Sequence, residues 1–223
     1  MALILNIDTA TETAQISFAK DGIVLQSLSN DLQKDHAAFL QTAIQQLLKN
    51  VGVSLNNIDA IAVAAGPGSY TGLRVGMASA KGLCYALNKP LIVLNTLEIL
   101  TIAAQQQFKN PVEILFCPMI DARRMEVFTA VYNNSLNTSL PPCAMILQED
   151  SFLNQLKENR IVFFGTGAAK WKTICKHSNA SFTIVLNLPQ AMAYLSNTYF
   201  LQNNFANLVY SQPFYIKEFQ NNI

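Results

Sequence analysis

The order of predicted elements repeats once along this chain of 223 residues, and the repeat restricts the fold more than any other feature. Three strands, a helix, a strand, a glycine turn, a helix, a strand and a helix are predicted in residues 1–108 and again in residues 109–223. The sequence therefore predicts an α/β protein with two duplicated subdomains, each with the order β-β-β-α-β-α-β-α.

The chain opens with a predicted β-meander. Residues 2–8 are almost continuously apolar, and residues 14–20 alternate apolar with polar side chains, which is the period of a half-buried strand. Asp21 and Gly22 favour a tight hairpin because both tolerate a left-handed backbone. A third strand follows at 23–28, so the first three strands are expected to pair antiparallel.

Helical spacing begins after the meander. In residues 36–51 the apolar side chains form one stripe, with Asp35 as the N-cap and Gly52 as the stop signal. The other predicted elements of the first half are a strand at 58–65, a helix at 73–87, a strand at 91–94 and a helix at 96–108. Those of the second half are strands at 112–120, 125–132 and 143–148, a helix at 151–158, a strand at 161–164, a helix ending at 176, a strand at 182–186 and a helix at 190–200.

An aspartate ends the first predicted strand of each half, Asp8 in the first and Asp121 in the second. Paired units of this kind resemble the plan of the actin, hexokinase and Hsp70-like ATPases, and the resemblance implies a nucleotide-binding cleft. Asp8, Thr9 and Thr11 either hold a hydrated magnesium ion and phosphate oxygens or form hydrogen bonds to turn amides. The residues leave both alternatives open.

A glycine-rich segment, GPGSYTG at 66–72, follows a predicted strand and opens a helix. Its glycines permit close approach to the backbone, so either an anion or a partner backbone binds there, or the segment is a tight turn. It lacks the lysine of a P-loop. The candidate residues for a nucleotide or anion loop are Asp8, Thr9, Thr11, Gly66, Gly68, Ser69, Thr71 and Arg74.

Small residues recur at every fourth position of the next helix, at Gly72, Gly76, Ala80 and Cys84. Another helix can approach such a face closely, and this helix is either the chain's own helix at 36–51 or one from another protein. The helix at 36–51 is apolar on two sides, which indicates that it is sandwiched. We therefore predict a partner interface on both helices. It comprises His36, Phe39, Leu40, Ala43, Leu47, Gly72, Val75, Gly76, Ser79, Ala80 and Leu83.

Composition excludes several functions. Only 13% of the residues are charged and the net charge is +1, so no broad positive field holds a nucleic-acid phosphate backbone unaided. The four cysteines stand singly, which favours buried thiols in a reducing compartment. Because there is neither a signal peptide nor an apolar run long enough to span a bilayer, we expect a cytoplasmic protein.

Four segments resemble the TsaB family in order and spacing across essentially the whole chain. They are LILNIDTAT, IDAIAVAAGPGSYTGLRVGMASAKGLCYALNKPLIVLNTLE, IDARRMEVFTAVY and PFYIK. TsaB is similar to a shortened TsaD, the subunit that transfers threonylcarbamoyl, and TsaD carries a His-x-x-x-His metal pair after the last strand of its first half. This chain has Thr96 and Leu100 at those positions, and neither side chain replaces imidazole on a transition metal. The resemblance therefore implies no catalytic residue and no metal site.

The resemblance also implies partners and a role. It implies a non-catalytic scaffold that forms a heterodimer with TsaD through the two helices, is joined by the ATPase TsaE, and works after TsaC has made threonylcarbamoyl-adenylate. The product is threonylcarbamoyladenosine next to the anticodon of tRNA, and tRNA is contacted only within the complex. Binding of ATP or ADP at the TsaD interface and pairing of the isolated chain with itself are left open.

Some alternatives remain. An ATP-dependent small-molecule kinase or ATPase with the same fold is the competing function, and it would need a catalytic carboxylate such as Asp8. Arg123 and Arg124 replace the glycine that active ATPases of this fold use at the second hairpin. These arginines either form salt bridges or bind an anion or RNA phosphate. His36 and His177 are interpreted as surface or capping histidines.

Overall fold

The computed structural model describes residues 1–31, 36–108 and 114–217, and its first sheet is built from N-terminal strands. These strands are β1 (Leu3–Asp8), β2 (Ala14–Lys20), β3 (Ile23–Asn30), β4 (Ala60–Ala64) and β5 (Leu91–Leu94). The sheet order is β3-β2-β1-β4-β5. The first three strands pair antiparallel, and β4 and β5 continue the sheet in parallel. The antiparallel meander was predicted, and the strands β4 and β5 were predicted as elements without a pairing direction.

The second sheet repeats this arrangement. Its strands are β6 (Ile114–Asp121), β7 (Glu126–Tyr132), β8 (Thr138–Ile146), β9 (Arg160–Phe164) and β10 (Ala180–Phe182). The order is β10-β9-β6-β7-β8, with β6, β7 and β8 antiparallel and β9 and β10 parallel. Read from its first strand outward, this is the order of the first sheet, so the predicted duplication is confirmed.

Six α-helices connect these strands in the described residues. They are α1 (His36–Val51), α2 (Tyr70–Leu87), α3 (Thr96–Gln105), α4 (Leu153–Glu158), α5 (Ala168–Ile174) and α6 (Leu188–Leu201). Helix α1 has the predicted bounds, whereas α2 begins three residues before the predicted start because the Ser69 hydroxyl accepts a hydrogen bond from the Gly72 amide. The predicted N-cap Asp35 and the predicted start of β6 at residue 112 lie outside the described residues.

The predicted strand at 182–186 is wrong. Strand β10 covers Ala180–Phe182, and residues 183–187 have no regular structure although they are apolar in part. Strand β10 begins earlier than predicted because it pairs with β9, where Ala180 and Phe182 lie opposite Ile161 and Phe163. An apolar run indicated a buried strand here, but Ile184 and Leu186 are exposed instead.

The contacts divide the chain into two units, and the division differs from the predicted boundary after residue 108. Unit 1 contains Met1–Ile99 with Asn187–Phe214, and unit 2 contains Leu100–Leu186 with the described residues from Tyr215 onward. Helix α6 causes the difference, because it packs on β1, β2, β3 and β5. The Gln190 side chain fixes this helix to the β2–β3 hairpin, donating to the Gly22 carbonyl at 2.7 Å.

The core of unit 1 follows the strand alternation. Leu5 and Ile7 of β1 point to the same side as Ile16 and Phe18 of β2, and they pack with residues of α1 and α2. The opposite side of the sheet is the one covered by α6. Burying each apolar side chain of this kind stabilises the folded state by roughly 1.5–3 kcal/mol. Apolar contacts on both sides of the sheet therefore stabilise unit 1.

All four cysteines are free thiols, but Cys143 and Cys175 are only partly buried, so the prediction of buried thiols holds for the other two. Cys84 and Cys117 are buried, and burial raises the pKa of the Cys84 thiol to about 12. Burial also raises the pKa of Cys117, which contacts the Thr129 hydroxyl at 3.2 Å. No helix in the described part of the chain is long and apolar enough to cross a membrane.

Candidate functional site

The turn between β1 and β2 contains the predicted acidic residue. Asp8 is only 6% exposed, and its Oδ1 accepts a hydrogen bond from the Ala10 amide at 2.9 Å. The Thr9 hydroxyl donates to the Gly72 carbonyl at 2.7 Å. The Thr11 hydroxyl lies 3.4 Å from the Thr13 carbonyl, at the edge of hydrogen-bond range. These side chains support the turn from within the chain.

The Asp8 carboxyl is perturbed by this setting. Burial raises its pKa from 3.8 to about 6, and the Ala10 amide and the nearby His36 partly oppose the increase. His36 is itself buried, and its Nε2 lies 3.2 Å from the Glu12 carbonyl oxygen. The interpretation of His36 as a surface or capping histidine is therefore wrong, because the β1–β2 turn covers it.

The wild-type protein should lose stability as the pH rises through the pKa of Asp8, and replacing Asp8 with asparagine should remove this loss. A folded pKa raised above the unfolded pKa favours folding at low pH, and this contribution is lost as pH rises from 3.8 to about 6. Each pKa unit corresponds to about 1.4 kcal/mol, so the wild type should lose ~3 kcal/mol relative to Asp8→Asn across this range. Urea unfolding of both proteins at several pH values measures the difference. A constant difference across the range would contradict this prediction.

The glycine loop approaches the same turn. A Cβ on Gly68 would collide with the Ala10 carbonyl, and one on Gly72 would collide with the Thr9 carbonyl. The Ser69 amide donates to the Ala10 carbonyl at 2.7 Å. The glycines are therefore required by close packing within unit 1, which supports the tight-turn alternative.

Two further contacts fix the loop. Gly66 has φ +118°, and a Cβ there would collide with the carbonyl of Phe214, whose amide donates to Ala65 at 2.7 Å. The Arg74 guanidinium stacks over the Tyr70 ring at 4.1 Å from its centroid. Of the predicted anion-loop residues, Thr71 is exposed, and its hydroxyl forms no hydrogen bond with the described residues.

The predicted partner face of α2 points inward. Gly72, Gly76, Ala80 and Cys84 are all buried, and a Cβ on Gly76 would collide with the Thr9 hydroxyl. Gly72, Gly76 and Ala80 are therefore not available to a partner, and this part of the interface prediction is wrong. The physical reason is that the small residues let α2 lie close to β4 and to the β1–β2 turn.

The predicted interface residues of α1 behave in the same way. Leu40, Ala43 and Leu47 are buried in the core of unit 1, and His36 is buried under the turn. These four residues are also corrected, because the apolar stripe of α1 covers its own sheet. Of the predicted α1 residues, only Phe39 is partly exposed.

A second line of small residues lies on the outward side of α2. Ala78, Gly82 and Ala86 are exposed, and a Cβ added to Gly82 would have no atom within 4 Å. Glycine costs about 1 kcal/mol in a helix relative to alanine, and no contact within the described chain explains this one. The sequence pattern had indicated the inward line, through Gly72, Gly76, Ala80 and Cys84, as the partner face. We call the following residues the outer face: Phe39, Val75, Ala78, Ser79, Gly82, Leu83 and Ala86.

The hairpin between β6 and β7 carries the second aspartate. Asp121 Oδ1 accepts hydrogen bonds from Lys170 Nζ at 2.7 Å and from the Arg123 amide at 2.6 Å. Burial is the largest single influence and raises the pKa of Asp121, but the hydrogen bonds from Lys170 and the Arg123 amide and the charge of Lys170 together outweigh it, so the pKa is lowered. Arg123 and Arg124 both have positive φ and are exposed, and neither forms an ion pair among the described residues.

The positions compared with the metal pair lie on α3. Thr96 is its first residue and Leu100 follows one turn later, and both are buried. The Thr96 hydroxyl has no hydrogen-bond partner in the described residues. No group of three or more His, Cys, Asp or Glu side chains gathers there or elsewhere in the described ranges.

Two sheets of the same mixed order define the class of this protein. Each begins with an antiparallel meander whose first strand ends at an aspartate, continues with two parallel strands, and is connected by helices. This is the duplicated actin-like fold that the sequence predicted.

Comparison with known proteins identifies the family. The model of the tRNA N6-adenosine threonylcarbamoyltransferase family, TsaD, matches residues 26–211. The tRNA threonylcarbamoyladenosine biosynthesis protein TsaB of Bacillus subtilis is 34% identical over 164 residues, 72% of this chain and 69% of that protein. The TsaB protein of Escherichia coli is 28% identical over 96% of this chain and 94% of its own length. The chain therefore belongs to the TsaB family, within the TsaD superfamily.

A solved structure supports the fold assignment. It is a Pseudomonas aeruginosa protein described as similar to the peptidase YeaZ. The superposition has a TM-score of 0.79 at 23% identity and covers 97% of this chain and all of that protein. At this identity the likeness concerns the fold alone.

Proposed function

We propose that this protein is a non-catalytic scaffold that binds and activates TsaD for threonylcarbamoyladenosine formation in tRNA. Membership of the TsaB family supports a place in this modification. Thr96 and Leu100 stand where TsaD carries its metal-binding histidines, which supports a role without catalysis. The protein would work in the cytoplasm and would meet tRNA only within the complex.

The observation that carries the proposed partner is the exposed line of small residues on α2. Ala78, Gly82 and Ala86 occupy successive turns of one face, and Val75, Ser79 and Leu83 flank them half-buried. A helix of TsaD could lie directly against this line, since no side chain projects from Gly82. In the proposed interface, the outer face takes the place of the inward-pointing residues that the sequence predicted. Four residues belong to both the predicted interface and the outer face: Phe39, Val75, Ser79 and Leu83.

Further partners belong to the same proposal. TsaE joins the heterodimer, and TsaC supplies the threonylcarbamoyl-adenylate. ATP or ADP binds at the TsaD interface, held mainly by TsaD. The reason is that the Thr9 hydroxyl and the Ser69 amide and hydroxyl already serve hydrogen bonds within this chain.

Reconstitution tests the proposed role. TsaC, TsaD, TsaE, tRNA, threonine, bicarbonate and ATP are combined with and without this chain, and modified adenosine is measured by mass spectrometry. We expect product only when the chain is present, and none from the chain without TsaD. Equal product in its absence would contradict the scaffold role. Phosphoryl transfer by the chain alone that is lost in Asp8→Ala would instead favour the kinase alternative.

A further inference from the structure

The turn between β6 and β7 carries two arginines that the proposed function leaves unused. Arg123 and Arg124 are both exposed, and their backbone φ angles are 69° and 48°. The Glu126 amide donates to the Arg123 carbonyl at 3.0 Å and closes the turn. Left-handed backbone is disfavoured for residues with a Cβ, whereas glycine adopts it without this cost. Two consecutive arginines therefore stand where glycine would favour the turn more.

The acidic residues on either side of these arginines are already paired with lysines. Lys170 of α5 lies 2.7 Å from Asp121 Oδ1, and Lys217 lies 2.6 Å from Glu126 Oε1. Neither arginine side chain forms a hydrogen bond or an ion pair with a described residue. The two carboxylates and the two lysines cancel in charge. Among the described residues, the arginines therefore leave the turn with two uncompensated positive charges.

This arrangement favours an external anion over internal salt bridges. The nearest carboxylates in the sequence, those of Asp121 and Glu126, are the ones that the lysines hold, so both guanidinium groups stay available. A guanidinium presents several N–H donors in one plane and binds phosphate oxygens in pairs. Strained backbone is retained where the residues it presents have a function. Phosphate is the ligand chemistry that these features suit.

An RNA strand is the source of phosphate that suits two neighbouring arginines. Its phosphates follow one another along the chain, so each guanidinium can pair with one of them. The net charge of +1 is too low for the chain to hold tRNA alone, but two local charges can add contacts to a tRNA that other subunits also hold. Membership of the TsaB family supports the presence of tRNA in the complex.

We propose that the β6–β7 turn binds backbone phosphates of tRNA through Arg123 and Arg124 when the chain is part of the complex. This inference rests on the proposed function, because tRNA reaches the chain only together with TsaD. The contact orients the tRNA without reading its bases, since phosphates carry no sequence information. Lys170 and Lys217 keep the neighbouring carboxylates from competing for the arginines.

The salt dependence of tRNA binding tests this proposal. Fluorescently labelled tRNA is titrated with the complex of TsaD, TsaE and the chain from about 50 to about 200 mM KCl. Each phosphate contact releases counterions and adds about 0.7–0.9 to the slope of log affinity against log salt concentration. Arg123→Gln/Arg124→Gln should therefore reduce the slope by about 1.5. Affinity at the lowest salt concentration should fall about tenfold, or roughly threefold for each exposed charge pair.

Two further double variants are the controls. Lys157→Gln/Arg160→Gln removes the same charge from exposed residues of unit 2. Arg160 begins β9 opposite Ile114, at the end of the sheet away from the turn, so this variant should keep the wild-type slope. Arg123→Lys/Arg124→Lys keeps the charge at the turn and should retain most of the slope.

Arg124→Gly separates the backbone strain from the charge. Glycine adopts the left-handed backbone freely, so the melting temperature should rise by about 2 °C. The salt slope should fall by about 0.8, because one phosphate contact is lost. A melting temperature below that of the wild type would overturn the proposal, since the arginine would then serve the stability of the turn.

Other outcomes also decide the matter, with affinities for TsaD, TsaE and ATP measured by calorimetric titration. Equal slopes for the wild type and the double glutamine variant, with TsaD binding intact, would overturn this proposal and leave the proposed function standing. Weaker binding of TsaD, TsaE or ATP with unchanged tRNA binding would also overturn it, because the arginines would then hold a protein carboxylate or a free nucleotide. If the wild-type chain does not bind TsaD, the proposed function and this inference fail together.

Discussion

Gly82→Leu should leave the chain folded but weaken its binding to TsaD by about a hundredfold. Position 82 is exposed and a Cβ there meets no atom within 4 Å, so the larger side chain has room in the isolated protein. In the complex the same side chain would hold a docked helix away from the outer face. Loss of close packing at the centre of an interface costs ~2–4 kcal/mol, which sets the expected size.

Circular dichroism and calorimetric titration with TsaD separate the two effects. The melting temperature of Gly82→Leu should equal or exceed that of the wild type, because leucine is the better helix former. Ala169→Leu is the matched control, since it enlarges an exposed small residue on α5 in unit 2. Its affinity for TsaD should be unchanged. If Gly82→Leu also binds TsaD normally, TsaD does not dock on the outer face.

Gly72→Ala should destabilise the protein by about 3 kcal/mol or more. Its Cβ would overlap the carbonyl oxygen of Thr9, so either the β1–β2 turn or the start of α2 has to move. Moving them weakens the hydrogen bond from the Thr9 hydroxyl to the Gly72 carbonyl and the one from the Ser69 amide to Ala10. Urea unfolding measures the loss of stability.

The same substitution on the same helix provides the control for Gly72→Ala. Gly82→Ala should stabilise the chain by up to ~1 kcal/mol, because the methyl group enters open space and alanine favours the helix. Opposite signs at the two positions are therefore expected. If Gly72→Ala changed the free energy of unfolding by less than 1 kcal/mol, the close approach of α2 to the turn would be wrong.

The strands of the first sheet could be predicted because alternating apolar and polar residues show which side chains share a face, and a hairpin turn fixes how two strands pair. The alternation in β2 and the hairpin at Asp21 and Gly22 place Ile16 and Phe18 on the core side, and the structure agrees. Helix α1 was also predicted to the residue, since its apolar stripe is continuous and Gly52 follows it. Short-range patterns were sufficient for these elements.

The orientation of α2 required information that its sequence does not contain. The helix has two lines of small residues on opposite sides, one through Gly76 and Ala80 and the other through Ala78 and Gly82. Periodicity shows that each line lies on one face, but it does not show which face covers the sheet. The close contacts of Gly72 and Gly76 with Thr9 show which face of α2 covers the sheet, and Thr9 is distant from α2 in the sequence. The line of small residues that was predicted to meet a partner is therefore the one that covers the sheet.

The bounds of β10 were predicted wrongly because they depend on its pairing with β9, a strand that lies earlier in the chain. Residues 182–186, which are mostly apolar, indicated a strand, but pairing with β9 ends at Phe182.

The position of α6 affects how the protein is made. Unit 1 is discontinuous: its sheet is synthesised first, but the helix that covers one side of that sheet is encoded after the whole of residues 100–186. On the ribosome, that apolar side therefore stays uncovered while unit 2 is translated. Domains normally fold in order as they leave the exit tunnel, and an exposed sheet at this stage can bind chaperones or aggregate. The N-terminal unit of this protein therefore becomes complete only after unit 2 has been translated.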